Sequence, residues 1–351
     1  MRLCTRCVLP ETFPGIDFDE TGRCHYCRAY DRRPPNADRD AGRPRREFEA
    51  LVESVRPRSG GHCVLAYSGG KDSSYTLWLL RRRHGLRVTA VTLDNGFLSP
   101  QALRNARRVV EALEAEHIVV RPPFALLRRL FAHFAHASPY PPVALLRASS
   151  VCNACIALVK SAAWRLAIER RIPLVAYGFS SGQAGARSSV LQINAAMLRH
   201  FHASQCRPLL DVGGDEILPY LIGPEHFRSD EALPCGVNPL GFLGVPEREI
   251  LERIAELGWR MPEDTDGNST NCLLNTFALR RHLERHGFHP YAMELSELVR
   301  SGMIEREEAL SKLANLGSEA AYRRVAQQLD GAAGDPADAL AHHPAPRTGA
   351  S

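Results

Sequence analysis

The sequence predicts an α/β protein: a doubly wound parallel sheet, preceded by a small cysteine-bearing unit and followed by a helical region. Three observations predict it. Short apolar runs alternate with amphipathic helical stretches between about 60 and 210, the pattern of a parallel sheet covered on both faces. Two Cys-x2-Cys pairs, Cys4/Cys7 and Cys24/Cys27, stand ahead of that stretch. Beyond about 210 the strand signal fades and helical periodicity takes over. The 351 residues are 44% hydrophobic and 24% charged, which excludes wholesale disorder and a disulfide miniprotein. No uninterrupted apolar run approaches the roughly 18–20 residues of a membrane span, and the N-terminus shows no apolar signal core. A cytoplasmic protein with no membrane partner is the expectation. The net charge of +5 permits a phosphorylated substrate or RNA without demonstrating either.

In chain order, residues 1–30 form the cysteine-bearing unit. Each pair sets two thiolates on a tight turn, and together they supply the four soft ligands of a tetrahedral zinc site. The gap between the pairs is short of core residues and holds Pro10, Pro14 and Gly15, so without metal the unit would hardly fold. A closed four-thiolate set implies a structural zinc. Residues 31–46 are polar and proline-containing, a linker by composition. In the main domain, 47–210, buried strands are expected at 62–67, 88–93, 117–120 and 173–177, with helices at 73–83, 99–114, 124–135 and 155–169. The region 211–327 is mainly helical, with clear periodicity at 247–257 and 295–316. The last stretch, 328–351, is rich in Ala, Gly and Pro and reads as a disordered tail.

Of the 44 Lys and Arg, only Lys71, Lys160 and Lys312 are lysine. Such a bias toward arginine acts wherever either cation serves, so a retained lysine points to a compact ammonium. Lys71 sits inside a motif; for Lys160 and Lys312 chance is the simpler account.

That motif is Ser68-Gly69-Gly70-Lys71-Asp72-Ser73, directly after a buried strand and opening a helix. A glycine turn and a helix N-terminus place several free N–H groups at one point, which makes an anion site. Lys71 adds a mobile charge, and Ser68 and Ser73 add hydroxyl donors. The loop is no Walker A motif: Leu65 stands where its first glycine belongs, and Asp72 follows the lysine.

The loop resembles the pyrophosphate loop of the PP-loop ATP pyrophosphatases, the adenine nucleotide alpha hydrolase superfamily. The resemblance covers about 60–200. It implies ATP with Mg2+, adenylation of a carbonyl or lactam oxygen with release of pyrophosphate, and displacement of AMP by nitrogen or sulfur. Leu93-Asp94-Asn95-Gly96 looks like the second nucleotide-facing turn, and Tyr177-Gly178-Phe179-Ser180-Ser181-Gly182-Gln183 like the segment that closes around the nucleotide. The candidate ATP-binding residues are therefore Ser68, Gly69, Gly70, Lys71, Asp72, Ser73, Asp94 and Gly178. The cysteine unit with its following loop is similar to two relatives, the tRNA 2-thiolation enzymes and the N-acetyl sugar amidotransferases.

Cys152-Asn153-Ala154-Cys155 opens a helix, whose positive end lowers a thiol pKa. Its place downstream of the loop resembles the tRNA 2-thiolation enzymes, in which such a pair and one later cysteine hold a 4Fe–4S cluster. The third ligand would then be Cys272 or Cys235, with Cys272 favoured by the order of the segments before it. Candidate catalytic residues are Lys71, Asp72, Cys152 and Cys155. Sulfur transfer is the leading expectation, with a sulfur donor as partner and tRNA or a small molecule as acceptor. The alternative is amidotransfer with ammonia from a separate glutaminase, and a non-enzymatic RNA-binding adaptor stands as a third reading. A homodimer is compatible with all of them. The thiolation enzymes bring a second cysteine-rich ribbon near the C-terminus, whereas nothing after Cys272 is cysteine, which weakens the case for tRNA. Cys63 is expected in the core. His200, His202 and Cys206 read as scattered polar positions, and Arg81-Arg82-Arg83-His84 as a solvated helix end.

Overall fold

The computed structural model describes residues 1–32, 42–180, 182–183, 189–231, 233–266 and 268–330. Among the described residues, six strands form one sheet: β1 (His62–Ala66), β2 (Arg87–Leu93), β3 (Glu116–Val120), β4 (Leu174–Tyr177), β5 (Val190–Gln192) and β6 (Cys235–Val237). Their order is β3-β2-β1-β4-β6-β5, parallel throughout except for the antiparallel β5–β6 pair. The chain winds outward from β1 to β3, then returns to the other side of β1 with β4. That reversal creates a crevice outside the carboxyl ends of β1 and β4, where α/β sheets bind ligands.

The sheet is covered on both faces because successive side chains point to opposite sides. In β1, Cys63 and Leu65 pack into one core with Leu77, Leu80 and Val109. Val64 faces the other, with Leu127, Leu158 and Val175. The helix Ser150–Glu169 is the central element of that second core. It is long and apolar enough to cross a membrane by length and composition, yet half of the apolar window is buried inside the protein. Its alanines at 154, 157, 163 and 167 are fully buried, so its apolarity serves packing.

Several elements differ from the sequence pattern. The helix expected from 155 begins at Ser150, because Ser149 caps it by accepting from the Cys152 amide at 3.0 Å. The stretch 295–316 is two helices, Ala292–Arg300 and Arg306–Ala314, separated where Gly302 adopts a φ of +72°. Strands β5 and β6, three residues each, are too short to register as alternation, and β6 lies beyond 210. A helix, Arg43–Ser59, starts within the stretch read as linker. Residues 33–41 of that stretch and 331–351 of the tail lie outside the described residues.

The cysteine unit is docked onto the C-terminal helices. Phe13 packs edge-on against Phe288 at 5.0 Å, in one core with the four cysteines, Ala292 and Met293. Arg306 donates to the carbonyls of Cys4 and Cys7, both at 3.2 Å.

Candidate active site

The 68–73 loop leaves the carboxyl end of β1 as the sequence expects. Gly69 takes a φ of +74°, and a Cβ there would stand 2.6 Å from the Ala102 carbonyl oxygen, so glycine is required for both conformation and space. Gly70 is the N-cap of the helix Lys71–Trp78 and brings no side-chain cap, leaving the positive helix end to a ligand. The hydroxyls of Ser68 and Ser73 lie 3.1 Å apart beside it. A later segment braces the loop: Thr270 Oγ1 accepts from the Lys71 amide at 3.0 Å, and Trp259 Nε1 donates to Gly69 O at 3.0 Å.

Lys71 Nζ lies 2.9 Å from Asp72 Oδ1 and 3.6 Å from Glu247 Oε1. Lys312 Nζ holds the other Glu247 oxygen at 2.9 Å. Burial alone would lower the Lys71 pKa, but Asp72 and Glu247 outweigh it and hold the ammonium above the ordinary lysine value. Glu294, from the helix Ala292–Arg300, faces the same point. Burial, with the charge of Asp72 adding to it, pushes its carboxyl up to about 7 against the Ser180 hydroxyl and Lys71, which favour the anion.

The other predicted nucleotide-facing positions gather at the same sheet edge. Asp94 directly follows β2, accepts from the Gly96 amide at 3.0 Å and pairs with Arg121 at 2.7 Å. Gly178 follows β4 directly under the loop, where a Cβ would meet Ser73 Cα at 2.5 Å. Arg81 and Arg82 instead donate to the carbonyls of Leu113 and Ala112, ending the neighbouring helix Pro100–Ala112.

Three thiols meet beside the β2 turn. Asn95 Nδ2 lies 3.6 Å from Cys155 Sγ and 3.5 Å from Cys272 Sγ, and Cys152 Sγ lies 3.8 Å from Asn275 Oδ1. An antiparallel bridge between Leu98 and Cys272 puts the late cysteine there. Cys235 is elsewhere: it pairs with Leu174 at the start of β4, at the opposite end of the sheet, and bonds Gln192. The helix N-terminus does not make thiolates of the pair. Burial dominates and pushes Cys152 up to about 12, with Cys155 and Cys272 also raised. Buried thiols of this kind ionise only against a compensating cation. They are soft donors, with the Asp266 carboxylate near enough to raise Cys152 and Cys272 further, and such thiols suit zinc, copper(I) or an iron–sulfur cluster alike.

The four N-terminal cysteines converge on one point. Cys4 and Cys27 Sγ are 3.8 Å apart, Cys7 and Cys24 Sγ 3.7 Å, and all four lie within 4.8 Å of one another. A tetrahedron of Zn–S bonds of about 2.3 Å has edges of about 3.8 Å, so the residues fit one tetrahedral ion. They are the one such group of His, Cys, Asp and Glu among the described residues. His200, His202 and Cys206 do not converge.

A cavity of about 820 Å³ opens beside the thiols, lined by Cys152, Ile156, Lys160, Phe179, Asn238 and Glu294 among others. A smaller one of about 120 Å³ lies at Lys71, Asp72 and Glu247, and both are bordered by Gln183, Tyr291 and Glu294. The sequence reading placed Asn95 in the nucleotide-facing turn and not at the thiols, and it missed Glu247, Glu294 and Lys312 as site residues. The scarcity of lysine was the signal for Lys312; nothing local marks the two glutamates.

No family model matches the chain. An uncharacterized protein of Methanocaldococcus jannaschii is 23% identical over 312 residues, 88% of this chain and 92% of that one. The glutamine-hydrolyzing GMP synthase of Serratia proteamaculans is 45% identical over 65 residues, 18% of this chain and 12% of that one. Among solved structures, the U34-tRNA thiolase of Methanococcus maripaludis with its 4Fe–4S cluster aligns over 89% of each chain at 16% identity, with a TM-score of 0.34. The chain has a largely parallel sheet that reverses at β1, with the glycine loop leaving that strand into a helix.

Proposed function

We propose that the protein is a PP-loop ATP pyrophosphatase that replaces an acceptor oxygen by sulfur. The acceptor oxygen attacks the α-phosphorus of ATP and pyrophosphate leaves; sulfide from a donor then attacks the activated carbon, and AMP departs with the oxygen. The observation that carries this reading is that Cys155 and Cys272, from segments far apart in sequence, share the Asn95 amide beside the loop, with Cys152 three residues before Cys155 and against Asn275.

The chain's own groups have defined parts. The N–H groups and hydroxyls of the 68–73 loop bind the β- and γ-phosphates, whose Mg2+ has Asp72 at hand. Lys71 neutralises charge as pyrophosphate departs, held in place by Asp72 and Glu247. Glu294 stands where both cavities meet and can hold a proton near neutral pH. A 4Fe–4S cluster held by three thiolates would offer one iron for sulfide. The four N-terminal cysteines hold a structural zinc.

Anaerobically reconstituted protein should contain about four irons in addition to one zinc. Cys272→Ser should lose the iron and keep ATP binding, while Cys235→Ser should lose neither. Iron-free, colourless wild-type protein would refute sulfur as the incoming atom and leave nitrogen, with ammonia from a glutaminase.

A further inference from the structure

The large cavity carries a cation that the proposed chemistry leaves unused. Lys160 lines it, has no hydrogen bond or ion pair among the described residues, and has the Phe179 ring 6.0 Å from its Nζ. Burial, with no charge to oppose it, lowers its pKa. Asn238, 4% exposed on the same wall, has a second donor without a partner, its Nδ2. Its Oδ1 accepts from the Phe179 amide at 2.9 Å, so both donors flank Phe179. The rest of the lining is mixed: Ile156, Ile193 and Phe201 are apolar, Trp164 Nε1 and Tyr177 Oη are further buried polar atoms without a partner among the described residues, and Glu294 and Arg147, the latter paired with Glu297, border it.

An ammonium kept in such surroundings without a counterion costs stability. Its arginine-rich chain makes the retained lysine more telling. The three lysines are now placed: Lys71 and Lys312 on Glu247, and Lys160 in the adjoining cavity. Cys152, Ile156 and Lys160 are spaced by four on one helix and line one wall. Eight residues of helix separate Cys152 from Lys160, about 12 Å along the axis. The volume is that of a small-molecule site, roughly 300–1,000 Å³.

We propose that the cavity seats the acceptor as a small organic monoanion, an apolar-bodied carboxylic acid whose carboxylate pairs with Lys160 and whose carbonyl or amide end lies toward Cys152. One ammonium without a counterion, among neutral donors, suits a carboxylate, whereas a phosphate dianion calls for more positive charge. This rests on the reading of the adjoining loop as an adenylating site.

The test uses full-length protein and calorimetric titration with a series of arylalkyl carboxylates, 4-phenylbutyrate among them, each against its neutral primary amide. Wild-type protein should bind the acids at least roughly tenfold more tightly than the amides. Lys160→Met should erase that preference, leave amide binding unchanged and raise the Tm of the ligand-free protein; Lys160→Gln serves as the second variant. Equal binding of acid and amide, no binding by any of the series, or a preference that survives both variants overturns the proposal. So does thiolation of tRNA by the purified protein. Iron content and AMP release are measured on the same samples. Iron-free protein with an intact acid preference removes the sulfur reading alone, while iron-bearing protein with no preference removes the carboxylate alone.

Discussion

Glu294 shows what one buried carboxyl does to pH dependence. Burial first, and the charge of Asp72 after it, raise its pKa from 4.5 to about 7. The folded protein therefore binds this proton more tightly than the unfolded chain. Its contribution to stability is fully present below about pH 4.5 and is lost as pH rises through about 7. Glu294→Gln should flatten that part of the profile, so that the variant gains Tm relative to wild type between pH 5 and about 8. Thermal melts across that range check it, and a difference that does not change with pH would remove the assigned shift. At the same scale, Lys71 and Lys312 share the two oxygens of Glu247, so the lysine expected to be incidental holds a partner of the one in the motif.

Between elements, β4 and the loop approach each other closely. Gly178 has no left-handed backbone; it is glycine because a Cβ would lie 2.5 Å from Ser73 Cα and 2.7 Å from Ser73 N. Those are backbone atoms, which cannot swing aside as a flexible side chain does. Gly178→Ala should push the end of β4 away from the helix Lys71–Trp78 and destabilise by about 1–3 kcal/mol. ATP affinity should fall with it, because the loop N–H groups lose their alignment. Denaturant midpoints and nucleotide titration check this; wild-type values for both would show that the two elements are not in contact. The same scale explains the thiols. The helix Ser150–Glu169 supplies Cys152 and Cys155, and a single bridge, Leu98 to Cys272, supplies the third. Its cysteines start the helix as expected, but packing against the core, rather than the helix dipole, sets their protonation.

For the molecule as a whole, the cysteine unit and the C-terminal helices act as one clamp over the loop. Met293 packs with the four cysteines, and its neighbour Glu294 faces Asp72 and Lys71. Val8 packs with Leu295 and Ala309, next to Ser296, which accepts from the Val8 amide at 3.4 Å. Exposing even one such large apolar side chain costs about 1.5–3 kcal/mol. Replacing Cys4 and Cys24 with serine should remove one zinc and loosen residues 288–300 along with 1–30, while the sheet stays folded. Hydrogen exchange should then rise in the helix Ala292–Arg300 and stay slow in β1 and β4, and ATP turnover should fall. Zinc-free protein with unchanged protection in that helix would show the unit to be independent of the site.

Local chemistry made part of this protein legible from its sequence alone. The glycine loop, the apolar strands at β1, β2 and β4 and the paired cysteines each express their structure within a few residues, where turn geometry, burial and ligand spacing leave few alternatives. The alternation of strand and helix likewise implied the sheet that is observed. What only the tertiary structure decided comes from contacts between distant segments. Cys272 rather than Cys235 joins the pair because β6 carries Cys235 to the opposite end of the sheet. Glu247 and Glu294 belong to the site because two C-terminal helices cross the loop. The cavity around Lys160 exists only where one wall of the helix Ser150–Glu169 meets β4 and β6. Neither composition nor periodicity encodes such meetings, since each residue involved is ordinary in its own stretch of chain and acquires its chemistry from neighbours that folding brings to it.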